Sequence, residues 1–273
     1  DESGNFRLSD KIDHLIKTSQ AVGIQTPVDY KTVRPSGNVP ALGLFENLKD
    51  FPVMLTLAPE CISTKQLKHL KSLGFKILAG HTDASYDQLE EAIKYGLDGF
   101  THLFNAMGQI SAREPGVVGS ALTFDNATAS VIVDLHHVHP SLIQMAYKQK
   151  PQGKLFFVSD SMATIHHGEP SFELYDEIVS ESKGRIINSE GKLAGSSITQ
   201  IDAIKNAYQS CNIPLNEALA MASRYPAEYL GVANYLGSLK SGYRADLTHF
   251  DLDFQVQNVW VAGKQLRQEA LCE

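Results

Sequence analysis

The chain has 273 residues, 43% hydrophobic and 20% charged, the composition of an ordinary soluble globular protein. That length allows one large barrel-type domain or two ordinary ones, and a net charge of −7 without a long basic run argues against nucleic acid or an anionic membrane as partner. No apolar stretch approaches the ~18–20 residues that span a bilayer, "DESGNFRLSD" has no signal-peptide core, and Cys61, Cys211 and Cys272 lack paired spacing, so reduced thiols in the cytoplasm are expected.

From residue 53 to 160 short apolar runs alternate with amphipathic segments. "VMLTLAPE" predicts a strand. "STKQLKHLKSLG" predicts a helix opened by a Ser63/Gln66 capping box and closed at Gly74. "FKILAGH" is the next strand, followed by "SYDQLEEAIKYG", boxed by Ser85 and Gln88 and closed by Gly96. "LDGFTHLF" reads as a strand and the residues after it as a polar loop. "TASVIVDLHH" is again a strand, "PSLIQMAYKQK" a helix and "KLFFVSD" a strand. Such alternation with short connections predicts right-handed βαβ units and a mainly parallel sheet.

Beyond this region the pattern changes. "GRIINSEGKLAGSS" predicts a hairpin turning at Glu190-Gly191, and "TQIDAIKNAYQSCNI" and "NEALAMASRYPAEYLG" predict two consecutive helices. The tail from about Tyr235 is β-rich with glycine turns. The expected organisation is α/β: a (β/α)8 TIM-like barrel over residues 1–234, with residues 235–273 forming part of a small β-sandwich domain.

Three predicted strands end on possible metal ligands, Glu60, His81 and His102, at intervals of 21 and 21 residues, about one βα unit each. Two later strands end on His136-His137 and on Asp160. In a (β/α)8 barrel all strand C-termini open onto one face, which holds the active site. One carboxylate and two imidazoles would give a borderline divalent metal three protein ligands and leave a place for water of pKa around 7. Asp160 could then move that proton as acid and base, and His137 could bind or polarise a substrate carbonyl.

Each residue also has a plainer reading. Glu60 could cap the following helix or offset its N-terminal dipole, Asp160 could be an N-cap, and a strand-end histidine is often a loop hydrogen-bonder. Five such residues at successive strand ends favour metal-assisted hydrolysis, because the plain reading must hold independently at each. His14, His69 and His249 read as surface or packing residues, His166-His167 as a polar loop that could be a lid contact or nothing, and Cys61 as a small packing residue that could also lie near the metal.

Together the motifs resemble the amidohydrolase superfamily, specifically N-acetylglucosamine-6-phosphate deacetylases. The matching stretches are "TLAPE", "AGHTDAS", "THLFNAM", "AREPGVVG", "DLHHV", "FVSDSMA", "LAGSSIT" and "LGSLKSGYRADLTHF", with "THLFNAM" and "REPG" the most specific. The resemblance implies Glu60, His81 and His102 as ligands of one divalent metal per subunit, zinc first, with iron, cobalt or manganese as alternatives. It implies Asp160 as catalytic acid and base, His137 as a sugar contact, Asn105 and Ala106 at the sugar phosphate, and Ile198 near the acetyl group. Arg113 would bind phosphate across a homodimer interface, where its planar fork suits a phosphate. The implied reaction converts N-acetyl-D-glucosamine 6-phosphate to glucosamine 6-phosphate and acetate in amino-sugar catabolism.

Three rival readings stand beside it. They are the galactosamine epimer as substrate, a cyclic-amide hydrolase built on a carbamylated lysine, and a non-catalytic sugar-phosphate-binding barrel. No strand-end lysine supports the second, and the full set Glu60, His81, His102 and Asp160 argues against the third. The first 50 residues are shorter than the resemblance implies, with compressed joins at Thr26-Pro27 and Leu44-Phe45. Either the barrel is truly shortened there or segments of a longer chain are absent, and we expect the second.

Overall fold

A computed structural model describes residues 52–162, 171–174, 177–182 and 184–266, with the backbone of 24–27. His14, His166, His167, Cys272 and the Leu44-Phe45 join lie outside the described residues. The chain divides between Ala129 and Ser130 into two compact units.

In the first unit β1 (Ile24–Pro27), β2 (Val53–Leu57), β3 (Lys76–Ala79), β4 (Gly99–Phe100) and the start of β5 (Thr128–Val131) pair in chain order, all parallel. β1 runs through the Thr26-Pro27 join. The expected βα alternation is present: α1 (Thr64–Ser72) follows β2 and α2 (Tyr86–Lys94) follows β3. Both helices open with the capping boxes legible in the sequence, Ser63 with Gln66 and Ser85 with Gln88. Glu60 is therefore not the cap of α1. Strands buried on both faces supply the core, where Leu55, Phe75, Ile77, Leu78, Leu89, Phe100 and Leu103 are at most 2% exposed. At the opposite end of the sheet Asp98 accepts from the Ile77 N–H at 2.8 Å and pairs with Lys71 of α1 at 2.5 Å, fixing helix and strand together.

The loop expected after β4 contains a helix, α3 (Gly116–Thr123), in which every residue from Gly116 to Leu122 is buried. A helix apolar on all sides carries no 3.6-residue polar alternation, so its sequence does not advertise it.

In the second unit the Val131 carbonyl accepts from the Val158 N–H at 3.1 Å, just past β6 (Leu155–Phe157), and α4 (Pro140–Gln149) joins β5 to β6. An antiparallel sheet of β7 (Ser171–Leu174), β8 (Glu177–Ser182), β9 (Arg185–Ile187) and β10 (Leu193–Ser196) follows in the order β10-β9-β8-β7. Its last pair is the predicted hairpin, with Gly191 N–H donating to Asn188 O at 2.9 Å. β7 and β8 were not expected. After α5 (Gln200–Ser210), the second predicted helix is two: α6 (Leu215–Ala222) and α7 (Arg224–Leu230). Pro226 has no N–H for the Ala222 carbonyl and its ring crowds that carbonyl, so the helix breaks at Ser223. The tail is β-rich as expected, and its strands β11 (Leu247–Phe250), β12 (Val256–Val261) and β13 (Lys264–Gln265) form an antiparallel sheet.

β4 is only two residues long, and its pairing depends on close approach. A Cβ on Gly99 would lie 2.0 Å from the backbone oxygen of Thr128. Gly99→Ala should therefore separate β4 from β5 and cost about 3 kcal/mol, the upper range for overpacking, because a ladder carbonyl cannot move aside as a side chain can. Urea unfolding checks this, and an unchanged midpoint would contradict it.

Candidate active site

The regular strands stop short of the predicted site residues, which stand in the loops just beyond. Gly80 N–H donates to Leu57 O at 3.1 Å and Thr101 N–H to Ala79 O at 2.8 Å, the last ladder bonds before His81 and His102. Both histidines then take left-handed backbone, with φ of 52° and 35°. Asp160, past β6 in the second unit, does the same at φ 54°. Histidine and aspartate tolerate this region better than most residues, yet each such position costs free energy and such positions concentrate at functional sites.

These turns bring His81 and His102 together. Their Nε2 atoms lie 3.0 Å apart and their rings meet edge to face with centroids at 4.9 Å. Two ring N–H donors cannot face each other at that distance, so at least one Nε2 presents a lone pair. Beneath them the buried Thr56 and Thr101 hydroxyls hydrogen-bond at 2.7 Å. Glu60 is exposed on a 3-10 turn (Pro59–Cys61). Its carboxylate accepts from the Thr82 hydroxyl and from Asp83 N–H at 3.2 Å, instead of joining the imidazole pair. Among the described residues no three such side chains are gathered as a finished cation cage. The donor set nevertheless fits a divalent metal, since two nitrogens 3.0 Å apart can share one cation at ~2.0–2.1 Å from each. Thr82 already holds Glu60 next to His81. Cys61 reads as no nucleophile: burial, and then the neighbouring Glu60 carboxylate, push its thiol up.

The loops after β3 and β4 are zipped together. Thr82 N–H donates to Ala106 O at 3.2 Å and Gly108 N–H to Thr82 O at 3.3 Å. Asn105 turns its amide to the carbonyls of His102 and Leu103 at 3.2 and 3.3 Å, and Ala106 is exposed with φ 47°. Arg113 is exposed on a loop clamped by Glu114, whose Oε1 accepts from the N–H groups of Tyr86 and Gly116, each at 3.0 Å.

In the second unit Asp160 and Ile198 are joined by backbone. Ser196 N–H donates to Asp160 O at 2.8 Å, Met162 N–H to Ser196 O at 3.0 Å, and the Ser161 hydroxyl to Ile198 O. Gly195 makes this possible: its φ is +86°, and a Cβ there would sit 3.0 Å from Asp160 O and closer still to the Met162 side chain. Ile198 is 9% exposed.

His137 is gripped by a residue that the sequence reading left aside. Asp134 Oδ2 lies 2.6 Å from His137 Nδ1, while Oδ1 accepts from the N–H groups of His136 and His137 at 2.9 and 2.8 Å. The D-x-x-H spacing in "DLHHV" was the available signal.

Parallel strands followed by loops that carry imidazoles and carboxylates past their C-terminal ends define the protein as α/β, with a candidate site on its strand-end loops. Residues 54–266 match the amidohydrolase family, and the chain belongs to it. Members of that family are typically metal-dependent. The chain is 35% identical over 215 residues to an N-acetylgalactosamine-6-phosphate deacetylase from Shewanella sp. (strain ANA-3), covering 79% of this chain and 54% of the relative. It is 34% identical over 226 residues to an N-acetylglucosamine-6-phosphate deacetylase from Vibrio furnissii, covering 80% and 56%. The chain thus spans little more than half the length of these curated relatives. The crystal structure of N-acetylglucosamine-6-phosphate deacetylase from Pasteurella multocida is similar with a TM-score of 0.85 and 32% identity, over 93% of this chain and 70% of that one. The fold class is accordingly the expected α/β barrel type with a small additional sheet domain. Among the described residues no helix is long and apolar enough to cross a membrane.

Burial alone would raise the Asp134 carboxyl; the hydrogen bonds from the His137 ring and from the N–H groups of His137 and His136 outweigh it and hold it below the ordinary carboxylate range. A depressed folded value adds stability that is complete above the unfolded value of about 3.9 and is lost as pH falls through the folded one. The stability gap between wild type and Asp134→Asn should therefore shrink below about pH 4. Urea midpoints across acid pH check this, and a gap that stays constant down to about pH 2 would overturn it.

Proposed function

We propose that this chain carries the active site of a metal-dependent amide hydrolase that removes acetate from N-acetyl-D-glucosamine 6-phosphate in amino-sugar catabolism. The observation that carries the reading is the convergence of His81 and His102, each thrown over the end of a parallel strand by a left-handed residue. The names of the relatives point to the same substrate class.

Glu60, His81 and His102 would hold the cation, zinc first, with iron, cobalt or manganese as alternatives. When bound, such an ion supplies Lewis acidity and an acidified water. Asp160 accepts the water proton as the new C–O bond forms and returns it to the amine as the C–N bond breaks, so the carboxyl ends as it began. His137 binds the sugar or the acetyl carbonyl, and Ile198 supplies an apolar wall for the acetyl methyl. Asn105 and the backbone at Ala106 receive the phosphate, which requires the amide to leave the carbonyls it now holds. Arg113 meets the phosphate bound to a second copy in a homodimer; its exposure and the Glu114 clamp on its loop support that role. Cys61 and Cys211 are both free, in keeping with a cytoplasmic setting.

The epimeric N-acetylgalactosamine 6-phosphate is a second reading, favoured by the name of the Shewanella relative. The two differ at one hydroxyl. Acetate release from both sugar phosphates, measured after reconstitution with Zn²⁺, Fe²⁺, Co²⁺ or Mn²⁺, separates the readings, and release from neither would end both. Asp160→Asn should keep the metal content of the wild type and lose on the order of 10²–10⁴-fold in turnover. Turnover within a few-fold of wild type would remove Asp160 from the proton path.

A further inference from the structure

The loop after β5 holds a contact for which the proposed reaction gives no reason. The Asp134 side chain is 1% exposed and that of His137 is 7% exposed. Oδ1 of the carboxylate is fixed by two backbone N–H groups, and Oδ2 faces the ring at Nδ1. Leu135, at φ 66°, bends the chain so that residues three apart meet. Behind the loop, Asn206 of α5 donates its amide N–H to Val133 O at 2.8 Å, so the residue preceding Asp134 is itself held. An ionised carboxylate can only accept, which makes Nδ1 the donor. The other neutral tautomer would set two acceptors against each other at 2.6 Å.

We propose that Asp134 is a positioning residue for His137: it retains the Nδ1 proton and fixes the ring, so that Nε2 alone is offered to the substrate. The proposal rests on the reading of His137 as a substrate contact. With Nδ1 committed, a neutral ring offers the Nε2 lone pair to a sugar hydroxyl, and a doubly protonated ring offers an N–H to the acetyl carbonyl. Neither state requires the ring to turn. Asp134 acts only through that ring.

The direct test is long-range ¹H–¹⁵N correlation of the full chain labelled with ¹⁵N-histidine, the His137 signal being assigned by its loss in His137→Gln. Nδ1 should carry a proton in the wild type; an unprotonated Nδ1 overturns the proposal without any Asp134 variant. In Asp134→Asn the two backbone N–H groups keep Oδ1, the new Nδ2 amide faces the ring as a donor, and the proton should move to Nε2. In deacetylation assays Asp134→Asn should lower kcat/KM about 10- to 100-fold at unchanged metal content, by analogy with carboxylates that orient metal-bound imidazoles. Adding His137→Gln to Asp134→Asn should then cost little more, whereas losses that multiply would show that Asp134 acts by another route. If the wild type releases acetate from neither sugar phosphate, the deacetylase reading falls, while the spectrum still decides what Asp134 does to the ring.

Discussion

The site depends on where the parallel ladder stops. Leu57 and Ala79 accept the last strand bonds from Gly80 and Thr101, each one residue before a site histidine. Up to that residue the backbone has no freedom, because every ladder group is committed. One residue later it has no ladder partner, and a single left-handed residue is enough to carry a side chain over the end of the sheet. Since neighbouring parallel strands end at the same side, the imidazoles of His81 and His102 meet at 3.0 Å although 21 residues separate them. An antiparallel pair would have sent them to opposite ends.

Left-handed backbone at a non-glycine residue costs roughly 1–2 kcal/mol. His81, His102, Phe104, Ala106, Leu135 and Asp160 all adopt it, and all lie in strand-end loops. The buried strands around Phe75, Ile77 and Phe100 supply the stability that offsets it, and the Thr82 bonds to Ala106 and Gly108 keep two of these loops from relaxing. Three further such residues, Asn212, Phe254 and Ala262, lie in the connections between α5 and α6, β11 and β12, and β12 and β13.

Much of the framework was legible because it follows local rules. The Ser63 and Ser85 capping boxes, the hairpin at Glu190-Gly191 and the β-rich tail each carry their own residue signature. α3 was not legible, since Gly116 to Leu122 is buried on every side and lacks amphipathic period. The break at Ser223 could have been read from Pro226, but the apolar run masks it. At the site, spacing revealed which residues approach the strand ends but not their partners. Glu60 on Thr82 and Asn105 on its own loop carbonyls depend on loop dihedrals that no periodicity encodes, while Asp134 on His137 left only its D-x-x-H spacing as a trace.

The histidines are restrained in two chemically distinct ways. His81 and His102 are aimed at each other with Nε2 atoms 3.0 Å apart, a pair of nitrogens that fits a divalent cation. His137 has its inner nitrogen answered by an anion that burial would otherwise penalise. Asp134 tolerates burial because three donors face it. The facing imidazoles thus offer a pair of nitrogens that fits a cation, whereas the Asp134 carboxylate already answers the inner nitrogen of His137.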